Sequence, residues 1–174
     1  MTQLKDDCFA FGGKLMSVAE ALALVDQRVT AVAGRETLTL RAAHRRFLAE
    51  DLTSAMDVPP FTNAAVDGYA FASADLKPAA PTRLRIRGRA TAGHPLSGPC
   101  APGEAVRVFT GAVLPERCDS VVMQEDVEID GAAVVIPPGL KRGANRRKAG
   151  EDVRAGDRVL MAGTRLRAEH LALA

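Results

Sequence analysis

Apolar residues near the start of the chain follow helical spacing. One face of the predicted helix carries five of them: Val18, Ala21, Leu22, Val25 and Val29. Ser17 and Glu20 stand three residues apart at the start of this run, which is the capping-box pattern of a helix N-terminus. We therefore predict a helix over residues 17–29, with an apolar stripe that needs a partner surface.

The segment after Gly34 has a weaker pattern. Alternation of polar and apolar residues predicts a short strand over residues 36–40. The run that follows favours a second helix over residues 41–49, and a short extended piece is expected over 51–54.

Beyond residue 56 the helical periodicity disappears, and short alternating runs are separated by glycine and proline. This pattern is typical of a small antiparallel β unit. Its candidate strands lie at residues 68–71, 83–89, 105–109, 120–124, 127–129 and 133–136. Asp130-Gly131 is expected to join the last two strands as a hairpin, because this dipeptide favours two-residue turns. A later strand is expected over 158–161.

These elements predict an α+β protein that is mostly β. We expect a small antiparallel β-barrel-like domain over residues 56–140, inserted into an elongated α/β flanking domain. The flanking domain is discontinuous and is built from residues 16–55 and 141–174. Residues 1–15 are interpreted as an N-terminal extension.

Composition places the chain among soluble globular proteins. It has 174 residues, of which 47% are hydrophobic and 25% charged, and its formal net charge is only +2. This balance predicts neither strong attraction to nucleic acid nor membrane binding. The apolar stretches are shorter than the ~20 residues of a membrane helix, and the first residues lack a secretory signal pattern. We expect a cytoplasmic protein with no nucleic-acid or membrane partner.

Cysteine and histidine residues are too scattered to predict a zinc site or a catalytic triad. Cys8, Cys100 and Cys118 include no C-x-x-C pair, and no histidine is spaced as a partner ligand. We interpret the cysteines as reduced structural thiols. The sequence leaves the ligands of any metal ion unknown.

The densest local signal is the run PPFTNAAVDGYA, residues 59–70. Its two prolines restrict φ, Gly68 permits a positive φ, and Thr62 and Asn63 favour turns. Asp67 would be held in a stiff loop, where a carboxylate can orient a substrate amine or hydroxyl or help to hold a cation. The alternative is a turn aspartate that caps nearby backbone amides, and spacing alone favours that alternative.

Thr110-Gly111 follows a predicted buried strand. A hydroxyl beside a glycine lets an O–H and backbone N–H groups approach one anion, such as a phosphate. The alternative is a simple turn that ends the strand, which the dipeptide taken alone favours.

A basic loop follows the β unit and ends in two acids. Its charged residues are Lys141, Arg142, Arg146, Arg147, Lys148, Glu151 and Asp152. Arginine can bind phosphate oxygens in a fork, while the acids can hold Mg²⁺ or orient the arginines. The alternative is a solvated loop with internal ion pairs.

Alternation along the strand predicted over 83–89 places four arginines on one face: Arg83, Arg85, Arg87 and Arg89. Such a face can dock a partner or a nucleic acid. Near-neutral total charge, a single tyrosine and the absence of tryptophan argue against nucleic acid. We favour the solvent side of a half-buried strand.

Three runs together resemble the front part of the molybdopterin molybdenumtransferases, the MoeA and gephyrin E-domain family. They are PPFTNAAVDGYA, TGAVLP from Thr110, and GANRRKAGED from Gly143. The family patterns are PPFxNSAMDGYA, TGAxxP and GxNxRxxGED, and their shared order and spacing make the resemblance specific. Here Ala64-Ala65-Val66 replaces the commoner Ser-Ala-Met.

The resemblance implies an enzyme of molybdenum cofactor biosynthesis. Such enzymes insert molybdenum from molybdate into adenylylated molybdopterin and cleave the adenylyl group, with Mg²⁺ present. They are homodimers, and an upstream molybdopterin adenylyltransferase-type protein is an implied partner. The implied catalytic residues are Asp67, Thr110 and Asp152. The implied substrate-binding residues are Asn63, Arg147 and Glu151.

The resemblance also implies domains beyond this chain, because such proteins continue into a catalytic α/β domain and a C-terminal β domain. Residues 165–174 begin a helical pattern without a stop signal. We therefore expect a truncated N-terminal part that is inactive alone. The alternative is a non-catalytic dimerisation or docking module of the same family. The choice between molybdenum and tungsten does not follow from the sequence.

Overall fold

The structure, a computed structural model, describes residues 16–30 and 32–174. It divides into two compact units, Met1–Leu38 and Thr39–Ala174. The extension predicted over residues 1–15 lies outside the described residues. Within the described ranges, no helix has the length and apolar character that a membrane crossing requires.

The first unit contains helix α1, Val18–Arg28, which confirms the predicted helix. Its capping box is complete, because the Glu20 N–H donates to Ser17 Oγ at 3.2 Å and the Ser17 N–H donates to Glu20 Oε2 at 2.7 Å. No residue of α1 is buried. The large side chains of its apolar stripe are all exposed: Val18, Leu22, Val25 and Val29.

The elements predicted just after this helix are wrong. Residues 36–40 form no strand, and the helix predicted over 41–49 is only a 3-10 turn, Leu40–Ala43. After this turn the Arg45 N–H donates to the Leu166 carbonyl oxygen at 2.7 Å. Long-range backbone pairing of this kind outweighs the weak local preference for helix.

The regular secondary structure of the second unit is mostly strand, and its last element is a short helix, α2, Ala168–Leu171. The strands are β1 Leu52–Thr53, β2 Asn63–Ala64, β3 Gly68–Phe71, β4 Thr82–Ala90, β5 Glu104–Val108, β6 Ser120–Met123, β7 Glu128–Asp130, β8 Ala133–Ile136, β9 Arg146–Arg147 and β10 Arg158–Leu160.

Six of these strands form one sheet in the order β6-β3-β5-β4-β8-β7. Four of its neighbouring pairs are antiparallel, but β4 and β5 are parallel. The expectation of a purely antiparallel unit is therefore wrong at this pair. Residues 91–103 connect the two strands, and a parallel pair needs a crossover of about a dozen residues or more. The mostly-β α+β class is confirmed, while the barrel-like form stays a prediction.

Two further pairings bear on the predicted organisation. β7 and β8 form the expected hairpin, with Asp130 opposite Ala133 and Gly131 at a φ of 60°. Outside the large sheet, β1 pairs with β10. Leu52–Thr53 of the first expected flanking segment is therefore paired with the second segment, and the division between one flanking domain and an inserted β domain stays a prediction.

Strands β3, β5 and β6 of the large sheet are covered on both faces. One cluster of buried residues includes Ala70, Val106, Val108 and Val121, and the other includes Phe71, Leu84, Val122, Val134 and Ile136. Successive residues of a strand point to opposite faces, so Val121 and Val122 enter different clusters. Strands buried in this way form a rigid support for the loops at their ends.

The arginine face of β4 is solvent-facing, as the sequence predicts. Arg83 and Arg85 are exposed and flank the buried Leu84. Arg83 pairs with Asp130 at 2.7 Å, and Arg85 pairs with Glu104. Arg87 also lies 4.0 Å from Glu104, so three of the four predicted cations have an acidic partner within the same sheet.

Gly68 is required for a different reason from the predicted one. Its φ lies outside the positive range. Instead, a Cβ added at Gly68 would lie 1.8 Å from the carbonyl oxygen of Val122 on β6. Glycine is needed because the two backbones approach closely at this point.

We expect Gly68→Ala to destabilise the fold by more than ~3 kcal/mol, the upper end of ordinary overpacking, because backbone rather than a side chain must move. Urea unfolding followed by circular dichroism measures this. Gly88→Ala is the matched control in a strand, since its Cβ would meet only the end of the Leu96 side chain at 3.2 Å. Equal stability losses in the two variants would contradict the steric argument.

Candidate functional site

The three sequence runs meet at residues 62–64. These residues belong to the first run and lie between the second and the third. On one edge, β2 pairs with β9, so that Asn63 lies opposite Arg147. On the other edge, the Gly111 N–H donates to the Ala64 carbonyl oxygen at 2.9 Å, and the Ala64 N–H donates to the Ala112 carbonyl oxygen at 2.9 Å. Backbone hydrogen bonds therefore join segments that are far apart in the sequence.

Further bonds hold the basic loop to this frame. The Asn145 carbonyl oxygen accepts from the Ala65 N–H at 2.9 Å, and the Asn145 side-chain amide donates to the Val121 carbonyl oxygen at 3.0 Å. Asn145 has a φ of 52°, a left-handed conformation that asparagine tolerates. This asparagine of the third run therefore anchors the loop to the large sheet.

Asp67 and Thr110 are brought into direct contact. Asp67 Oδ1 accepts from the Thr110 N–H at 2.8 Å and from the Thr110 hydroxyl at 2.9 Å. The contact follows from strand register, because Asp67 precedes β3, Thr110 follows β5, and Gly68 lies opposite Val108. Among the described residues, the second carboxylate oxygen of Asp67 has no hydrogen-bond partner, so it remains an open acceptor.

These bonds change the expected role of the Thr110-Gly111 turn. The amide and hydroxyl of Thr110 both donate to Asp67, and the amide of Gly111 donates to Ala64. The donors that were expected to face an anion are thus bonded inside the protein. The geometry of Asp67 Oδ1 is that of a capping carboxylate.

The hydrogen bonds also act on the ionisation of Asp67. Its pKa is lowered from the ordinary carboxyl value, chiefly by the Thr110 amide, then by the Thr110 hydroxyl, with a smaller contribution from the charge of Arg107. The ionised form is therefore favoured at neutral pH.

A second group contains Arg147, Glu151 and Asp152. Arg147 Nη2 donates to Asp152 Oδ1 at 2.5 Å, and Arg147 Nε lies 3.4 Å from Glu151 Oε1. The bond to Asp152 is the main cause that raises the pKa of Arg147. Two carboxylates thus neutralise this arginine, as in the internal-ion-pair alternative. In the described part of the chain, no hydrogen bond or ion pair joins this group to Asp67.

Arg146 differs from Arg147 although it is the neighbouring residue. No ion pair of Arg146 occurs within the described residues, and its Nε is buried without a hydrogen-bond partner. The family pattern GxNxRxxGED has its arginine at the position of Arg147, so Arg147 was the predicted substrate-binding cation of this loop. Sequence patterns do not reveal which of two adjacent arginines meets an acid.

Arg107 is a residue near the site that the sequence analysis missed. Its guanidinium carbon lies 5.2 Å from the ring centre of Tyr69 and 4.8 Å from that of Phe109. Its Nη1 donates to the Gly68 carbonyl oxygen at 3.1 Å. Tyr69 is opposite Arg107 in the β3–β5 pair. The available signal was an arginine among buried valines in a strand, followed two residues later by an aromatic residue.

A protein-only metal centre is absent from the described ranges, where no three His, Cys, Asp or Glu side chains cluster suitably. Cys100 and Cys118 are free thiols. Burial raises the pKa of both thiols, which fits the predicted structural role.

The chain is a mostly-β α+β protein whose mixed sheet carries three motif loops. The family model described as "MoeA N-terminal region (domain I and II)" matches residues 16–174. The chain belongs to this family.

Curated relatives support the same assignment. A molybdopterin molybdenumtransferase of Haemophilus influenzae is 40% identical over 132 residues, which is 75% of this chain and 32% of that protein. One from Bacillus subtilis is 36% identical over 141 residues, again 75% of this chain and 32% of the relative. The chain therefore spans about a third of the length of these relatives.

A solved structure agrees with the fold. The crystal structure of the molybdopterin biosynthesis moeA protein from Pyrococcus horikoshii matches with a TM-score of 0.80 and 36% sequence identity. The match covers 92% of this chain and 43% of that one.

We predict that Thr110→Val raises the pKa of Asp67 part of the way to its ordinary value, because the hydroxyl donor is lost while the amide remains. ¹³C NMR of the Asp67 carboxyl across a pH series measures this. A lowered folded-state pKa stabilises the fold above the unfolded pKa, and this contribution is lost as pH falls through the folded value. Acid unfolding should therefore begin at higher pH in Thr110→Val.

Thr53→Val is the matched control, because Thr53 is an exposed strand residue away from Asp67. An unchanged Asp67 titration in Thr110→Val would show that the hydroxyl bond does not act on this carboxylate.

Proposed function

We propose that this chain forms part of the active site of a molybdopterin molybdenumtransferase, with a role in molybdenum cofactor biosynthesis. The observation that supports this most is the meeting of the three motif runs at residues 62–64, beside the Asp67–Thr110 pair. Relatives at 36% and 40% identity carry the name of that activity. The proposed reaction is insertion of molybdenum from molybdate into adenylylated molybdopterin, with loss of the adenylyl group.

Asp67, Thr110 and Asp152 are the proposed catalytic residues. The second oxygen of Asp67 is free to accept a hydrogen bond from a substrate amine or hydroxyl, while Thr110 holds the first oxygen. Asp152 has the equivalent arrangement, because one of its oxygens is held by Arg147. Each carboxylate is thereby oriented by one partner and presents the other oxygen.

Asn63, Arg147 and Glu151 are the proposed substrate-binding residues. Asn63 and Arg147 lie opposite each other in the β2–β9 pair, so a substrate that reaches one lies near the other. Glu151 Oε2 accepts from the Lys148 N–H at 2.9 Å, which shapes the loop around Arg147. Because its charge is already balanced, Arg147 contributes mainly by orienting Asp152 and by its remaining N–H groups.

Mg²⁺ belongs to this proposal only in a limited way. The described side chains offer no ligand cluster of three or more for it. Mg²⁺ is commonly bound through one or two carboxylates together with substrate phosphates and water.

Several wider properties are proposed with the activity. The curated relatives are about three times as long as the matched part. We therefore propose that turnover needs residues outside this chain. We also propose a cytoplasmic homodimer that receives its substrate from an upstream molybdopterin adenylyltransferase-type protein.

We expect the chain to bind molybdopterin and its adenylylated form in calorimetric titrations, run with and without Mg²⁺. Asp67→Asn should weaken binding by about tenfold, because a charge-assisted hydrogen bond is typically worth about 1.5–3 kcal/mol. Asp130→Asn is the control, since Asp130 is an exposed hairpin carboxylate paired with Arg83. A folded chain that binds neither form would contradict the proposal.

The second candidate is a non-catalytic dimerisation or docking module. The exposed stripe of α1 favours it, with Val18 at 77%, Leu22 at 60% and Val29 at 68% of full exposure. Apolar side chains arranged on one helical face typically pack against another surface.

If α1 mediates self-association, Leu22→Glu should shift the chain toward monomer in sedimentation velocity. Gln27→Glu introduces a carboxylate on the opposite face of α1 and should leave the association unchanged. Equal association of both variants would remove α1 from the interface.

A further inference from the structure

Arg107 is a cation near the proposed site without an acidic partner. In the described part of the chain it forms no ion pair with any carboxylate. Its guanidinium contacts the rings of Tyr69 and Phe109 instead, and Arg107 is only partly exposed. Arginine is suited to such a place, because its planar guanidinium contacts aromatic rings and keeps N–H groups free at its edge.

The N–H groups of Arg107 join two points of the backbone next to Asp67. One donates to the carbonyl oxygen of Gly68 at 3.1 Å, and another donates to Oε1 of Gln124. The Gln124 N–H in turn donates to the carbonyl oxygen of Asp67 at 3.1 Å. A closed ring of contacts therefore joins Arg107 and Gln124 to the backbone carbonyl groups of Asp67 and Gly68.

We propose that Arg107 is a positioning residue, which holds the backbone on the C-terminal side of Asp67 so that its carboxylate meets the amide and hydroxyl of Thr110. The proposal rests on the proposed function, because it gives Arg107 a role in a site where Asp67 is a catalytic residue.

The backbone around Gly68 is confined, so its hydrogen bond to Arg107 fixes the position of the neighbouring Asp67. The strand cannot shift toward β6 at this residue, because the Val122 carbonyl oxygen occupies the place of a Cβ. The Gly68 carbonyl is held by Arg107 from a side chain of β5, the strand that also leads to Thr110. The arginine that holds the Asp67 backbone is therefore on β5, and the threonine that binds the Asp67 carboxylate lies just after the same strand.

The experiment is ¹H–¹⁵N NMR of the 174-residue chain without substrate, with the Thr110 amide as the probe. This amide donates to Asp67 Oδ1, so its proton shift and its hydrogen-exchange rate report the bond. Arg107→Gln should move the proton shift upfield and speed the exchange several-fold. Arg107→Lys retains the charge and can donate to one acceptor but cannot span both, so it should give an intermediate change.

Arg89→Gln is the matched control. Arg89 lies opposite Arg107 in the β4–β5 pair and is exposed. Its substitution by glutamine removes the same positive charge. The Thr110 amide should be unchanged in this variant. A Thr110 signal that moves equally in Arg89→Gln would assign the effect to net charge and overturn the proposal.

A folded Arg107→Gln with a wild-type Thr110 signal would also overturn it. If Arg107→Gln does not fold, Arg107→Lys decides, and a wild-type Thr110 signal in that variant overturns the two-point contact. The probe is read without substrate, so failure here leaves molybdopterin binding untouched. Absence of molybdopterin binding would overturn the proposed function and leave the NMR result standing.

Discussion

The pairing of residues 62–64 on both edges is the constraint on which the rest of the site depends. One edge bonds to the loop after β5 and the other to β9, so three segments from distant parts of the sequence share one short strand. Backbone donors and acceptors cannot be left unpaired in a buried place without a cost of about 1–3 kcal/mol each. This requirement ties the loops together independently of their side chains.

The charged groups of the site are largely held by partners inside the protein. Asp67 is held by Thr110, and Arg147 is held by Glu151 and Asp152. Such contacts orient side chains at the surface more than they stabilise the fold, because solvent screens exposed ion pairs. What remains for a substrate of the proposed site is one oxygen each of Asp67 and Asp152, the amide of Asn63 and the guanidinium of Arg146. The site thus combines fixed acceptors with an unbalanced cation on the adjacent loop.

The large sheet supports this arrangement because its strands β3, β5 and β6 are buried on both faces. Val121 and Val122 pack into opposite clusters, and Gly68 brings β3 against β6 at a distance that admits no side chain. A sheet packed in this way transmits the position of its strands directly to the loops at their ends. Asp67 and Thr110 lie at such ends, so strand register decides their contact.

Local patterns in the sequence determined the helix capped by Ser17 and Glu20, the alternation of Arg83, Leu84 and Arg85, the Asp130-Gly131 hairpin and the three motif runs, because each depends on neighbours within a few residues. The tertiary structure alone decided the parallel β4–β5 pair, the loss of a helix after Leu40, the steric role of Gly68 and the choice of Arg147 over Arg146 as the paired cation. The first three of these depend on residues that are distant in the sequence, and a long-range backbone bond outweighs local preference when the two compete. The pairing of Arg147 depends on how its own loop folds, which brings Glu151 and Asp152, four and five residues later, to Arg147.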